Sequence, residues 1–270
     1  MKQLFDTHCH LYDERYELPV EKGGLGGLDK LVEEIRESDL KFVVDICTDI
    51  YSAREVDKHT RAYDFCYGTV GYYPGDVHKI TDEIWDEMFN IYKNNDKIVA
   101  IGEIGLDYHE PDEYPDKETQ KYWFVKQIEK GRELNCPICI HSRDADMDSF
   151  EILKNEALGK IPVLLHCYSG SLELAKEYVK RGAMISLGGP VTYKNARHSA
   201  EVAANIPLEN LLIETDAPYL TPVPYRGKLN KPQYVEFTAR KIAELRGISY
   251  EELANATTQN ACRFYGIENK

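Results

Sequence analysis

The chain has 270 residues, 43% of them hydrophobic and 29% charged, with a formal net charge of −13. That is enough apolar material for one large domain, residues 1–270, with a full core. The acidic balance argues against a nucleic-acid coat protein, but not against an enzyme that meets phosphates at one local site.

The first apolar run is LFDTHCH (4–10). Its polar residues arrive too early for a secretory signal, and no stretch approaches the roughly 18 unbroken apolar residues of a membrane span. The glycines of EKGGLGGLDK (21–30) miss the GxGxxG spacing and read as a loop. Leu28, Leu31, Val32 and Ile35 fall at helical intervals and predict a helix over 27–38. Further short runs follow at 42–47, 65–73 and 98–106, and a second helical stretch at 118–134. Then come runs at 137–142 and 163–169, and a helix over 171–181 with Ser171 as N-cap and Gly182 past its end. The last runs are 183–189 and 211–218, before a helix announced by Ser249 and Glu252 as a capping box.

Continuous runs of this kind suit strands buried on both faces. Eight of them, each followed by a helical stretch, predict a parallel sheet closed as a single-domain α/β TIM barrel, with a doubly wound open sheet as the other candidate. Seven cysteines form no metal-binding pattern. The lone CxxC, Cys136 and Cys139, has no second pair, so free buried thiols and a cytoplasmic protein are expected. Nothing signals an obligate protein partner or a membrane.

A TIM barrel builds its site at the C-terminal ends of its strands. His8 and His10 stand at the end of run 1, Glu103 in run 4, His141 at the end of run 5, His166 in run 6 and Asp216 in run 8. Alternation puts His8 and His10 on one face and Cys9 on the other. Imidazoles and carboxylates converging at a barrel mouth predict a metal site. Imidazole suits Zn²⁺, while carboxylate and water admit Mg²⁺ or Mn²⁺. Six ligands exceed one ion's need, so two divalent ions bridged by Glu103 are expected. Asp6 faces the way His8 does and is expected to orient an imidazole. His59, His78, His109 and His198 are expected to face solvent.

The motifs DTHCHL (6–11), GEIGLDYH (102–109), IHSRDA (140–145), HCYSGS (166–171) and LLIETDAPYLTP (211–222) occur in this order, followed by RGKLNKP (226–232). Together they resemble the TatD-related metal-dependent deoxyribonucleases over nearly the whole chain. The resemblance implies an amidohydrolase-type barrel with two divalent ions acting on DNA. It implies that His8, His10, Glu103 and Asp216 hold one ion and Glu103, His141 and His166 the other. One departure is Gly71-Tyr72-Tyr73-Pro74, where the family often has Gly-x-His-Pro. Tyr73 is a poor ligand and no general base near neutral pH, so altered phosphate handling is expected there.

Asp216 is the expected general base, beside Glu103 in the catalytic set. Glu214 is expected to share its face and to contact substrate or stand behind the ligands. Cations for phosphate are expected from Arg143 above all, because a guanidinium forks onto phosphate oxygens. Arg226 and Lys228 follow, with Lys194, Arg197 and Lys231 nearby. Tyr72, Tyr73 and Tyr168 are candidates for stacking on bases. The acidic loop HEPDEYPDKE (109–118) would disfavour a long duplex. The expected function is therefore a 3′–5′ exonuclease on single-stranded DNA ends. The competing function is an amide, lactone or ester hydrolase on the same barrel. Related barrels often bridge their ions with a carbamylated lysine on strand 4; this chain offers Glu103 there and no lysine after Lys97.

Overall fold

The apolar runs form eight parallel strands in the order β1 to β8. These are β1 (Leu4–Cys9), β2 (Leu40–Asp45), β3 (Cys66–Val70), β4 (Ile98–Asp107), β5 (Ile138–Arg143), β6 (Val163–Leu165), β7 (Met184–Leu187) and β8 (Leu211–Ile213). The structure is a computed structural model that describes residues 3–268. Helices follow the strands in turn: α1 (Leu28–Glu37), α2 (Ile50–Ala62), α3 (Asp82–Lys93), α4 (Lys117–Leu134), α5 (Asp146–Glu156), α6 (Leu172–Val179), α7 (Arg197–Asn205) and α8 (Val235–Arg246). A further helix, α9 (Tyr250–Tyr265), ends the fold. The strands thus close into the TIM barrel expected, and no helix among the described residues is long and apolar enough to cross a membrane.

Closure happens at the site. The His10 N–H donates to the Ala217 carbonyl at 2.8 Å and the Asp216 N–H to the His8 carbonyl at 2.9 Å, tying the ends of β1 and β8 together. Asp6 reinforces this joint: its Oδ1 accepts the Thr215 N–H at 2.9 Å and its Oδ2 the Thr215 hydroxyl at 2.5 Å. Asp6 therefore holds the backbone of the β8 end and orients no imidazole, against the sequence expectation. At the opposite end α9 plugs the barrel. Tyr265 packs on Phe5 with ring centroids 6.1 Å apart, and its hydroxyl donates to the Thr7 carbonyl at 3.2 Å.

The expected helix starts are present. Ser171 caps α6 by accepting the Leu174 N–H, and Ser249 caps α9 by accepting the Glu252 N–H at 3.0 Å. The full reciprocal capping box lies elsewhere, between Asp49 and Ser52 of α2. Strands 6 and 8 are shorter than expected. Past Leu165 and Ile213 the chain leaves the extended region, with Cys167 at φ 41° and Asp216 at φ 55°. Left-handed residues cannot continue a ladder, so the C-terminal ends of these strands are bends.

His59 corrects another expectation. It is only 8% exposed, and its Nδ1 lies 2.7 Å from Asp45 Oδ2, whose other oxygen accepts the Leu11 N–H at 2.8 Å. His78, His109 and His198 are exposed as expected. Burial alone would lower the His59 pKa, and the Asp45 carboxylate raises it by more, to above 6.5. This pair therefore stabilises the fold fully below the unfolded-state value of about 6.5. The contribution is lost as pH rises through the higher folded-state value. His59→Asn is expected to cost about 3 kcal/mol in urea denaturation at pH 6, and distinctly less at pH 9. An equal loss at both pH values would refute the pairing.

Candidate metal centre

All six expected ligands converge at the C-terminal mouth of the barrel. Glu103 stands between two groups. Its Oε1 is 2.7 Å from His141 Nδ1 and 2.9 Å from His166 Nε2. Its Oε2 is 3.5 Å from His8 Nε2. Asp216 Oδ1 lies 3.3 Å from His10 Nε2 and 3.7 Å from His8 Nε2. Two triads of ligand atoms result, each within 4.8 Å: His8–His10–Asp216 and Glu103–His141–His166. A third, His8–His166–Glu214, was not anticipated. The backbone permits this closeness at Gly105, which pairs with His141 across β4 and β5. A Cβ at Gly105 would sit 1.9 Å from the His141 carbonyl oxygen, and its φ of 147° is one that side chains rarely adopt.

The donor set fits divalent cations. Both ring nitrogens of His8 and the Oε2 of Glu214 are buried without a hydrogen-bond partner. Orphaned buried polar atoms are costly unless something pairs with them. Burial, then the neighbouring His166, lowers the His8 pKa, so its ring stays neutral and its lone pair is available. Burial would raise the Glu103 pKa, but His166, His141 and His8 together hold it well below the usual carboxylate range. His166 is pushed well above its ordinary value, mainly by Glu103 and Glu214 working against its burial.

The second nitrogens of three imidazoles are anchored, which assigns their tautomers. His10 Nδ1 donates to the Ile46 carbonyl at 2.9 Å, leaving Nε2 for the site. His166 Nδ1 lies 3.3 Å from Glu214 Oε1. His141 Nε2 lies 3.0 Å from Asp107 Oδ2, leaving Nδ1 toward Glu103. Asp107 is fully buried and also takes the Tyr73 hydroxyl on Oδ2 and the His109 N–H on Oδ1 at 2.9 Å. Its burial raises the pKa, but the bonds from His141 and Tyr73 bring it down to about 2, so it is ionised. Sequence reasoning missed Asp107. The signal was present: Glu103, Gly105 and Asp107 alternate along β4 and share one face.

A cavity of about 540 Å³ opens beside the ligands on the β5 to β8 side. His141, His166 and Asp216 form one wall, and Arg143 and Arg197 also line it. Arg143 is thus placed as expected. Arg226 and Lys228 are exposed on the loop after β8 but do not line the cavity; Arg226 lies over the Tyr193 ring at 4.3 Å and Lys228 5.6 Å from that of Tyr225. Lys231 is paired with Glu34 at 2.7 Å. Glu214 is 0% exposed and cannot meet substrate; the strand has ended, so its face and that of Asp216 differ. The Tyr73 hydroxyl is committed to Asp107, and Tyr72 and Tyr168 are buried to 3% and 8% exposure. Of these three rings only Tyr168 lines the cavity, and it is far less exposed than a stacking platform would be.

The family model for TatD related DNase matches residues 5–266. The chain belongs to the TatD-related DNase family. Similar to it are two uncharacterized metal-dependent hydrolases. YabD of Bacillus subtilis is 41% identical, over 98% of this chain and 99% of that protein. YcfH of Escherichia coli is 35% identical, over 98% and 96%. Among solved structures, YJJV, a TatD homolog from Escherichia coli, superposes with a TM-score of 0.86 at 26% identity, covering 99% of each chain. This TatD-family member is accordingly a metal-dependent hydrolase built on a TIM barrel.

Proposed function

We propose that the chain is a two-metal deoxyribonuclease that removes nucleotides from single-stranded DNA ends in the 3′–5′ direction. The observation that carries the two-ion reading is the division of Glu103, with one oxygen toward His141 and His166 and the other toward His8. His8, His10, Glu103 and Asp216 would hold one ion and Glu103, His141 and His166 the other. Divalent ions at these residues supply an acidified water and neutralise charge that develops on the phosphoryl oxygens.

The residues of the chain divide the remaining work. Asp216 is the general base. Its side chain is 16% exposed and lines the cavity, whereas those of Glu103 and Glu214 are 5% and 0% exposed. Only Asp216 among the three can meet an incoming water. Its pKa is lowered, because His10 and His8 outweigh burial, so the carboxylate is ionised. Glu103, Asp107 and Glu214 hold the imidazoles in place. Arg143 and Arg197 line the cavity and present guanidinium to a phosphodiester. The family description supports DNA as the polymer. Seven free cysteines support a cytoplasmic setting.

Purified protein with Mn²⁺ or Mg²⁺ is expected to turn 5′-labelled single-stranded DNA into a ladder of shortened products, and 3′-labelled DNA into labelled mononucleotide at once. Excess EDTA is expected to stop both. Internal fragments from the outset would replace the exonuclease reading with an endonuclease one. Hydrolysis of small lactones or esters without any cleavage of nucleic acid would overturn the nuclease.

A further inference from the structure

We infer that Tyr219 is the stacking platform for the base of the nucleotide being removed, which makes an unpaired end a requirement of the site. The inference rests on the nuclease reading above and names a specificity-determining residue within it. Tyr219 is an aromatic ring at the mouth that is 47% exposed while lining the same cavity as His141, His166 and Asp216. It follows the proposed base by three residues, and its N–H donates to the Asp216 carbonyl at 2.8 Å. Its own carbonyl accepts from the fully buried Asn230 at 2.5 Å. The ring is thus carried on backbone fixed to the metal centre.

The ring itself is also held. The Arg15 guanidinium lies 4.0 Å above its centroid. Asp13 grips that guanidinium with both carboxylate oxygens, at 2.8 and 2.7 Å, and accepts the Tyr219 hydroxyl at 3.4 Å. The His10 ring meets it edge-on at 6.0 Å. One face is therefore covered by a cation whose charge is already paired, so Arg15 here supports an aromatic surface and is not a free phosphate ligand. The cavity beside the ring continues apolar, with Leu187, Pro190, Val191 and Leu220, while Arg143 and Arg197 supply the cations. An aromatic platform, an apolar pocket and guanidinium groups in one cavity suit a flat base attached to a phosphate. Stacking on a rigid ring is tolerant of sequence and available only to a base freed from its partner.

The test uses the metal-loaded protein and oligonucleotides that carry either a normal or an abasic nucleotide at the end that is cut. Tyr219→Ala is expected to raise KM for the normal end roughly 5- to 150-fold, the range for loss of one stacked base, and Tyr219→Trp to restore it. Removing the base is expected to cost the wild type a similar factor. Combining the two changes should cost little more than either alone, which loss of structure would not produce. Metal content of both variants should match the wild type. If DNA is cut but the two losses multiply, or KM ignores both changes, Tyr219 is no base platform and the nuclease reading stands. If no DNA is cut by the wild type, both fall.

Discussion

Glu103→Gln is expected to abolish retention of both ions and to lower turnover on DNA roughly 10³-fold or more, since the ions supply both the nucleophile and the charge neutralisation. The substitution keeps shape and removes charge. An amide cannot offer anionic oxygens to both groups at once, and Glu103 is the residue whose atoms reach His141 and His166 on one side and His8 on the other. Loss of one ligand from a single-ion site would weaken that site alone. Loss of a shared ligand should empty both positions together. Metal analysis after dialysis, read beside the rate on single-stranded DNA, distinguishes these outcomes. Retention of one full equivalent would show that Glu103 serves one ion only, and retained activity would remove it from the mechanism.

Asp107→Asn is expected to weaken metal affinity about 10- to 100-fold, the usual effect of losing the carboxylate behind a metal-bound histidine. The ionised Asp107 accepts from His141 Nε2 and so leaves Nδ1, which faces Glu103, as the nitrogen that would bind an ion. Asparagine can present its NH₂ to Nε2 instead, which moves the ring proton to Nδ1, where the ion would bind. Excess Mn²⁺ should then recover much of the activity, because Asp107 acts through His141 and does not line the cavity. Tyr73→Phe removes only one donor from Asp107 and should have a smaller effect in the same direction. Calorimetric metal titration measures both. Unchanged affinity in Asp107→Asn would mean that His141 is positioned by packing alone.

The barrel and the convergence of the six candidate ligands were legible because both depend on local pattern. Buried parallel strands write themselves as continuous apolar runs, and barrel chemistry gathers at one end of each run. What escaped the sequence depended on bends and on neighbours distant in the chain. Of the two roles open to Glu214, contact with substrate required β8 to continue to Asp216; the strand ends at Ile213, and Glu214 is buried against His166, behind the candidate ligands. Asp6 follows the face of His8 but finds Thr215, 209 residues away, before any ring. His59 looks like a surface helical residue until α2 packs over β2 and Asp45. Tyr73 is claimed by Asp107 for the same reason, while Tyr219, to which the sequence pattern assigns no role, is left exposed at the rim.

The bridging role of Glu103 is the claim on which the rest depends, and counting ions tests it most directly. Crystals grown with Mn²⁺ and measured for anomalous scattering should show two peaks, one on each side of the Glu103 carboxylate, the first beside His8, His10 and Asp216 and the second beside His141 and His166. A single peak, or two peaks that leave Glu103 uncoordinated, would contradict it.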